Sequence, residues 1–202
     1  MSQRINTQCV GAQSIRSQQQ NKVAAKQAGM TFIEVLIALV IMVTGILGAV
    51  AMQATAKKGS FDAMQRSLAS SLAQDIVERM RASDANPANG ILALYAAGSP
   101  YGAGVVGAPA ACNSVPNICN PTQMVTHDLY GWEQALMGAD VKNGVNNFGG
   151  LVGGIGCVTV NGNTVTVAVT WQGKAEYSDA KKANCGTEST TRRQVVINAF
   201  II

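Results

Sequence analysis

Apolar residues follow three successive patterns along this chain. From Val35 to Ala56 they run without a charge for about 22 residues, long enough to span roughly 33 Å as a helix, close to one bilayer hydrocarbon core. Beyond it the run opens into an amphipathic pattern. Phe61, Met64, Leu68, Leu72, Ile76 and Met80 recur at spacings of three or four, with Asp62, Arg66, Asp75 and Arg79 between them. No proline or glycine interrupts residues 60 to 84, so one helix is predicted from Met30 to Ser83, stopped by Asn86-Pro87. In the last third the period shifts to two. Val158 and Val160 lead into Asn161-Gly162-Asn163, and then Val165, Val167, Val169 and Trp171 alternate with Thr166, Ala168 and Thr170. That pattern predicts an antiparallel hairpin with one face buried and the other half polar. A last strand is expected over 193–202, apolar on both faces and therefore central or covered.

Between these regions the signals are weaker. Residues 85 to 126 are rich in Ala, Gly, Pro, Asn and Ser and predict surface structure with little regular pattern, as does the stretch from Gly149 to Gly156. A short helix is predicted over 124–137, where Asp128, Trp132 and Leu136 share a face and Leu129 and Trp132 reach the core. A charged loop from Gly173 to Arg192 joins the last two strands. The fold class is α+β, a long N-terminal helix packed on a C-terminal antiparallel β-sheet.

Glu34 is out of place in this scheme. It stands just ahead of the uncharged run, where an unpaired charge in a membrane costs about 2.5 to 3.5 kcal/mol, so a pairing role is expected for it. Gly45 and Gly48 lie inside the same run. Glycine costs about 1 kcal/mol in a helix interior, but small residues let membrane helices approach closely, so these two mark a packing face or a soft point.

Charge sets the orientation. Residues 1 to 29 carry Arg4, Arg16, Lys22 and Lys26 with no acid, which keeps this end in the cytoplasm and puts everything after Ala56 outside the inner membrane. The segment is glutamine-rich and poor in large apolar residues, the composition of a leader without a fold of its own. The chain has 15 basic and 11 acidic residues in 202, so removing those four basic residues removes the whole excess, and basicity gives no argument for nucleic acid. The exported remainder suits one small domain.

Cysteine usage fits export. Cys9 leaves with the leader, and Cys112, Cys119, Cys157 and Cys185 remain, an even number in an oxidising compartment. Three pairings are open, and short separations favour Cys112 with Cys119 and Cys157 with Cys185. A zinc site is disfavoured, since no Cys-x-x-Cys pair exists and His127 is the one histidine. A lone histidine near a helix start reads as a solvated or capping residue. No Gly-x-Ser-x-Gly or phosphate-binding turn is present, so neither an enzyme nor a cofactor is expected.

The junction Gly29-Met30-Thr31-Phe32-Ile33-Glu34, with the apolar run behind it, resembles the type III signal of type IV pilins and pseudopilins. The resemblance implies that a prepilin peptidase cuts between Gly29 and Met30 and methylates the new N-terminus at Met30. It also implies that Glu34, fifth in the mature chain, faces the N-terminal ammonium of a neighbouring subunit during assembly. Electrostatics agrees, because each charge is costly alone in a low dielectric and tolerable as a pair. The competing readings are an ordinary signal peptide cut after Ala54-Thr55-Ala56, for which the apolar core is too long, and a plain membrane anchor, which leaves Glu34 unexplained. A lipoprotein signal at Cys9 fails because no apolar run precedes it.

Farther along, Asp128-Leu129-Tyr130-Gly131-Trp132 and the succession of Cys157, hairpin, Trp171, Cys185 and final strand resemble the PilV minor pilins, the type IV pilus modification proteins. The division implied is a leader over 1–29, a membrane and polymerisation half-helix over 30–56, an amphipathic half-helix over 57–86 and a pilin head over 87–202. Many major pilins carry a proline where Ala51 stands here, and its absence favours a minor component. The resemblance implies a complex that primes pilus assembly and sits at or near the tip. Its partners would be other minor pilins, the major pilin and a tip adhesin, with the subunit in the inner membrane before assembly and on the cell surface after. A type II secretion pseudopilin shares the same start. A DNA-uptake pilin is the other alternative, since Lys142, Lys174, Lys181, Lys182, Arg192 and Arg193 outnumber Glu176, Asp179 and Glu188 in the C-terminal region.

Overall fold

A computed structural model describes residues 29–83, 90–109, 112, 118–139, 141–144, 146–176 and 184–201. Residues 1–28 of the 1–29 leader, the Asn86-Pro87 stop, and Asp179, Lys181 and Lys182 lie outside the described residues. The chain divides into two compact units, residues 1–46 and 47–202.

Helix α1 runs from Phe32 to Ala82 and begins where the Thr31 carbonyl accepts the main-chain N–H groups of Glu34 and Val35. Every residue from Gly29 to Ser60 is exposed. Thr44 does not leave a stray hydroxyl on this apolar stretch, because its Oγ1 donates back to the carbonyls of Val40 and Ile41. From Gln65 onward the helix has a buried stripe made of Gln65, Ala69, Leu72, Ala73, Ile76, Val77 and Met80. The expected stripe is shifted at its start, since Met64 is 62 % exposed and Gln65 takes the inward position. The reason is a backbone group: Gln65 Oε1 accepts the N–H of Val152 at 3.0 Å, which a methionine cannot do.

Helix α2, Ile91–Ala97, lies within the stretch expected to be irregular. It buries Ile91, Leu92 and Tyr95 through a single apolar turn, too short for a periodic signal to stand out. Helix α3, Pro121–Met137, starts three residues before its expected position. Asn120 and Gln123 form a capping box, with Pro121 in the first turn, and Gly138 closes the helix in the left-handed region.

Strands β1 (Lys142–Asn143) and β2 (Asn146–Asn147) form a small ladder not anticipated from the pattern. The main sheet is antiparallel in the order β3-β4-β5, with β3 Ile155–Asn161, β4 Thr164–Gln172 and β5 Arg192–Phe200. Asn161 pairs with Thr164 across the turn, where Gly162 has φ 58°. The final strand is therefore an edge strand and not central. It pairs only with β4 among the described strands, and Val196 and Phe200 are exposed.

Val165, Val167, Val169 and Trp171 of β4 face the core with Ile76, Met80, Leu92, Tyr95, Trp132 and Leu136. Each such side chain contributes about 1.5 to 3 kcal/mol on burial. The opposite face of β4 is not simply half polar: Ala168 and Thr170 are buried as well. The Cys157–Cys185 disulfide lies there, with Cys185 Sγ 3.5 Å from the Ala168 carbonyl.

Candidate functional site

The sequence-derived site residues fall into two groups, one along the exposed helix and one inside the head. Gly29 and Met30 precede α1, and Glu34 is the acid of its first turn. Among the described residues, no ion pair engages the Glu34 carboxylate. A Cβ added at Gly45 or Gly48 would meet nothing within 4 Å. Among the described residues, these glycines thus relieve no contact. Helix α1 is the one described helix long and apolar enough to cross a membrane.

In the head, two links hold α3 to α1. Trp132 Nε1 donates to the Leu72 carbonyl at 2.8 Å. Arg79 Nε donates to Asp75 at 2.9 Å, and its Nη1 reaches Asp128 at 3.3 Å. Burial alone would lower the Arg79 pKa, but the two carboxylates outweigh it and raise it. Asp128 also accepts the Tyr95 hydroxyl at 2.8 Å, which ties α2 to the same pair, and burial holds that phenol well above its ordinary pKa. His127, next along the chain, is exposed.

The largest omission of the sequence reading is Glu133. It is fully buried, and its carboxylate accepts the N–H groups of Gly102 and Val105 on Oε1, at 2.9 and 3.0 Å, and of Val106 on Oε2 at 2.8 Å. Burial pushes its pKa up, the donated backbone hydrogens push it down, and the hydrogen bonds win. A signal for it existed: Leu129, Glu133 and Leu136 stand at i, i+4 and i+7, so the acid lies on a core-facing stripe. Its work is structural, holding the loop after Tyr101 against α3.

Cys112 is bonded to Cys119 and Cys157 to Cys185. Of the basic residues behind the DNA alternative, Arg192 is 3 % exposed and Arg193 stands 3.6 Å from Asp62 in a largely buried pair. Arg192 Nη1 donates to the Gly153 carbonyl at 3.1 Å, and desolvation lowers its pKa. These two cations secure loops to the sheet and α1, so neither belongs to an exposed phosphate-binding face.

A groove of about 490 Å³ opens beside α1, lined by Phe61, Met64, Met137, Phe148 and Val152 among others. Its wall is the glycine-rich segment 149–153, which the sequence read as irregular surface. The structure ties that segment down at each step. Leu151 N–H donates to Leu136, Val152 N–H to Gln65, and the Val152 carbonyl accepts Gln172 N–H at 2.8 Å. Gly138 and Gly150 pack backbone on backbone, and a Cβ on either would collide with the other.

Comparison with known families gives two adjacent matches. Residues 24–50 match the prokaryotic N-terminal methylation motif, and residues 51–130 match a family described as type IV pilin Tt1218. No match is found among curated proteins or solved structures. The matches and the helix-on-sheet fold together support a type IV pilin, a structural subunit and not an enzyme. The methylation motif implies processing by a peptidase and assembly with other pilins.

Proposed function

We propose that this chain is a minor pilin of the PilV type, cut by a prepilin peptidase between Gly29 and Met30, N-methylated at Met30, and built into a complex that primes type IV pilus assembly at the tip. The observation that carries this reading is the contrast within α1. Its residues from Phe32 to Ser60 are apolar in the main and wholly exposed, whereas the head completes a core of its own. Such a surface needs a second environment, first lipid and then the apolar helices of neighbouring subunits. Glu34 supplies register, since a carboxylate in that setting is stable only when paired, and the partner is the methylated amine of an adjacent chain. Gly45 and Gly48 supply the close-packing face. Ala51 in place of a helix-bending proline supports a minor component over the bulk subunit.

In this division residues 30–56 polymerise, residues 57–86 join the head, and residues 87–202 select partners: other minor pilins, the major pilin and a tip adhesin. Before assembly the head lies on the periplasmic side of the inner membrane. A type II secretion pseudopilin is the second reading, favoured by the same N-terminal motif, which both assemblies use.

Intact-mass and N-terminal analysis of the protein from membranes and from sheared surface fibres tests the assignment. A chain starting at N-methylated Met30 in the fibre fraction is the expected result. Cleavage after Ala56, or no cleavage, removes the assembly mechanism. Correct processing without any fibre-associated protein moves the subunit to the secretion pseudopilus.

A further inference from the structure

We propose that the free edge of β5 is a docking site for an extended segment of a partner protein, which adds a fourth strand to the sheet β3-β4-β5. The register shows which backbone groups are on offer. Ile201 N–H donates to the Asn163 carbonyl and Gly173 N–H to the Thr191 carbonyl, both at 2.9 Å, so the odd-numbered residues of β5 turn their N–H and C=O groups to β4. The even-numbered residues turn theirs away. From Val196 onward, the N–H groups of Val196, Asn198 and Phe200 meet no acceptor among the described residues.

The other edge of the same sheet is closed. On β3 the even-numbered residues also face outward, and there Gly156 exchanges two hydrogen bonds with Tyr101, at 2.7 and 2.8 Å, while Val158 N–H donates to Ser99 Oγ at 3.3 Å. Among the described residues nothing comparable covers β5 beyond Val196. Nor does β5 carry the usual protection of an edge, since residues 194–201 include no charge, proline or glycine. Val196 and Phe200 are exposed on the outer face, and Val195 and Ile197 are only partly buried on the core face. A strand apolar on both faces has the composition of a central strand, and β5 lacks the neighbour that would make it one.

The backbone specifies the occupant. Donor and acceptor groups repeating every second residue, roughly 6.8 Å apart, match another extended chain, whereas a helix bonds its own backbone internally. The side chains specify its character. With no charge from 194 to 201, a charged group set opposite Val196 or Phe200 is desolvated without a partner, so the segment is uncharged and apolar at alternate positions. A second copy of this chain is the poorer fit. Its β3 edge is closed, and antiparallel pairing of two β5 edges gives one head a half-turn in the plane of the sheet, which points the two α1 helices in opposite directions. In the membrane-inserted state proposed above, two subunits carry their helices the same way up. The edge itself is independent of that state.

Residue-resolved hydrogen exchange on the full chain tests this, comparing protein isolated in detergent micelles with protein left in the membranes of the cells that make it. Expected in micelles is fast exchange at Val196, Asn198 and Phe200 and slow exchange at Val195, Ile197 and Ala199. In membranes the three even-numbered amides should slow by about tenfold or more. Val196→Pro removes the central outward donor and no bond to β4, so it should return Asn198 and Phe200 to their micelle rates with the odd-numbered amides still slow. If those odd-numbered amides quicken too, Val196→Lys, which keeps every amide and only sets a charge on the edge, carries the same comparison. Equal rates in micelles and membranes overturn the docking site. Slow even-numbered amides that survive both variants point to cover by side chains or lipid and overturn strand addition. Slow even-numbered amides in micelles, with the mass of a dimer, assign the edge to a second copy and overturn the partner.

Discussion

Trp132 donates its indole N–H to the main-chain carbonyl of Leu72, so the third helix is hooked onto the backbone of the first and not merely packed against its side chains. The ring is accommodated by Gly156 of β3, where an added Cβ would collide with Trp132 Cη2. Trp132→Phe loses the hydrogen bond and leaves a void, at a cost of about 2 to 4 kcal/mol in urea unfolding. Gly156→Ala costs about 1 to 3 kcal/mol by overpacking. The double variant is expected to be less destabilised than the sum of the two, because the smaller ring vacates the space that the new methyl needs. Strict additivity would show that the two positions do not share one contact.

Glu133 makes the head sensitive to acid. Its folded-state pKa is below the unfolded value, so its contribution is complete above the unfolded pKa, near about 4.3, and is lost as pH falls through the folded value. Glu133→Gln is expected to cost about 2 to 4 kcal/mol at neutral pH, since an amide places a donor against backbone donors. Its stability curve should also fall less steeply than the parent's below about pH 4. Parallel curves for the two proteins would assign the acid response to other carboxylates.

The two disulfides differ in leverage. Cys157–Cys185 closes a separation of 28 residues and Cys112–Cys119 one of 7. Chain entropy gives roughly 3 to 4 kcal/mol for the first and roughly 2 for the second. Paired Cys→Ala replacements followed by denaturant titration should rank them in that order. Loss of Cys157–Cys185 should also expose the covered face of β4 at Ala168 and Thr170, seen as faster amide exchange there. The opposite ranking would place the main constraint at the edge of α3.

For Glu34 the expected outcome is functional and not structural. Glu34→Gln should leave peptidase cleavage, membrane insertion and head stability unchanged, because this side chain is exposed and takes no part in the head core. Recovery of the subunit in sheared fibres should fall by about tenfold or more, the effect of losing roughly 1.4 kcal/mol or more of pairing energy. Normal incorporation of the variant would remove the pairing role.

Periodicity and local chemistry determined the elements. An uncharged run followed by an amphipathic one specified a single long helix, and the alternation on either side of Asn161-Gly162-Asn163 specified the hairpin, because both signals are written within a few residues of each other. The junction at Gly29 was legible for the same reason. What tertiary structure alone decided were relationships between distant residues. Strand β5 reads as apolar on both faces, yet it lies at the sheet edge, since sheet order depends on which partner arrives and not on the strand's own composition. Gln65, Glu133 and Arg192 are polar residues that the core accepts only because Val152, the loop from Gly102 to Val106, and Gly153 present unpaired backbone groups to them. The groove arose likewise, from hydrogen bonds reaching a glycine-rich segment from four separate elements. No local pattern encodes such a site, because its partners lie tens of residues apart in sequence and only folding brings them within hydrogen-bond distance.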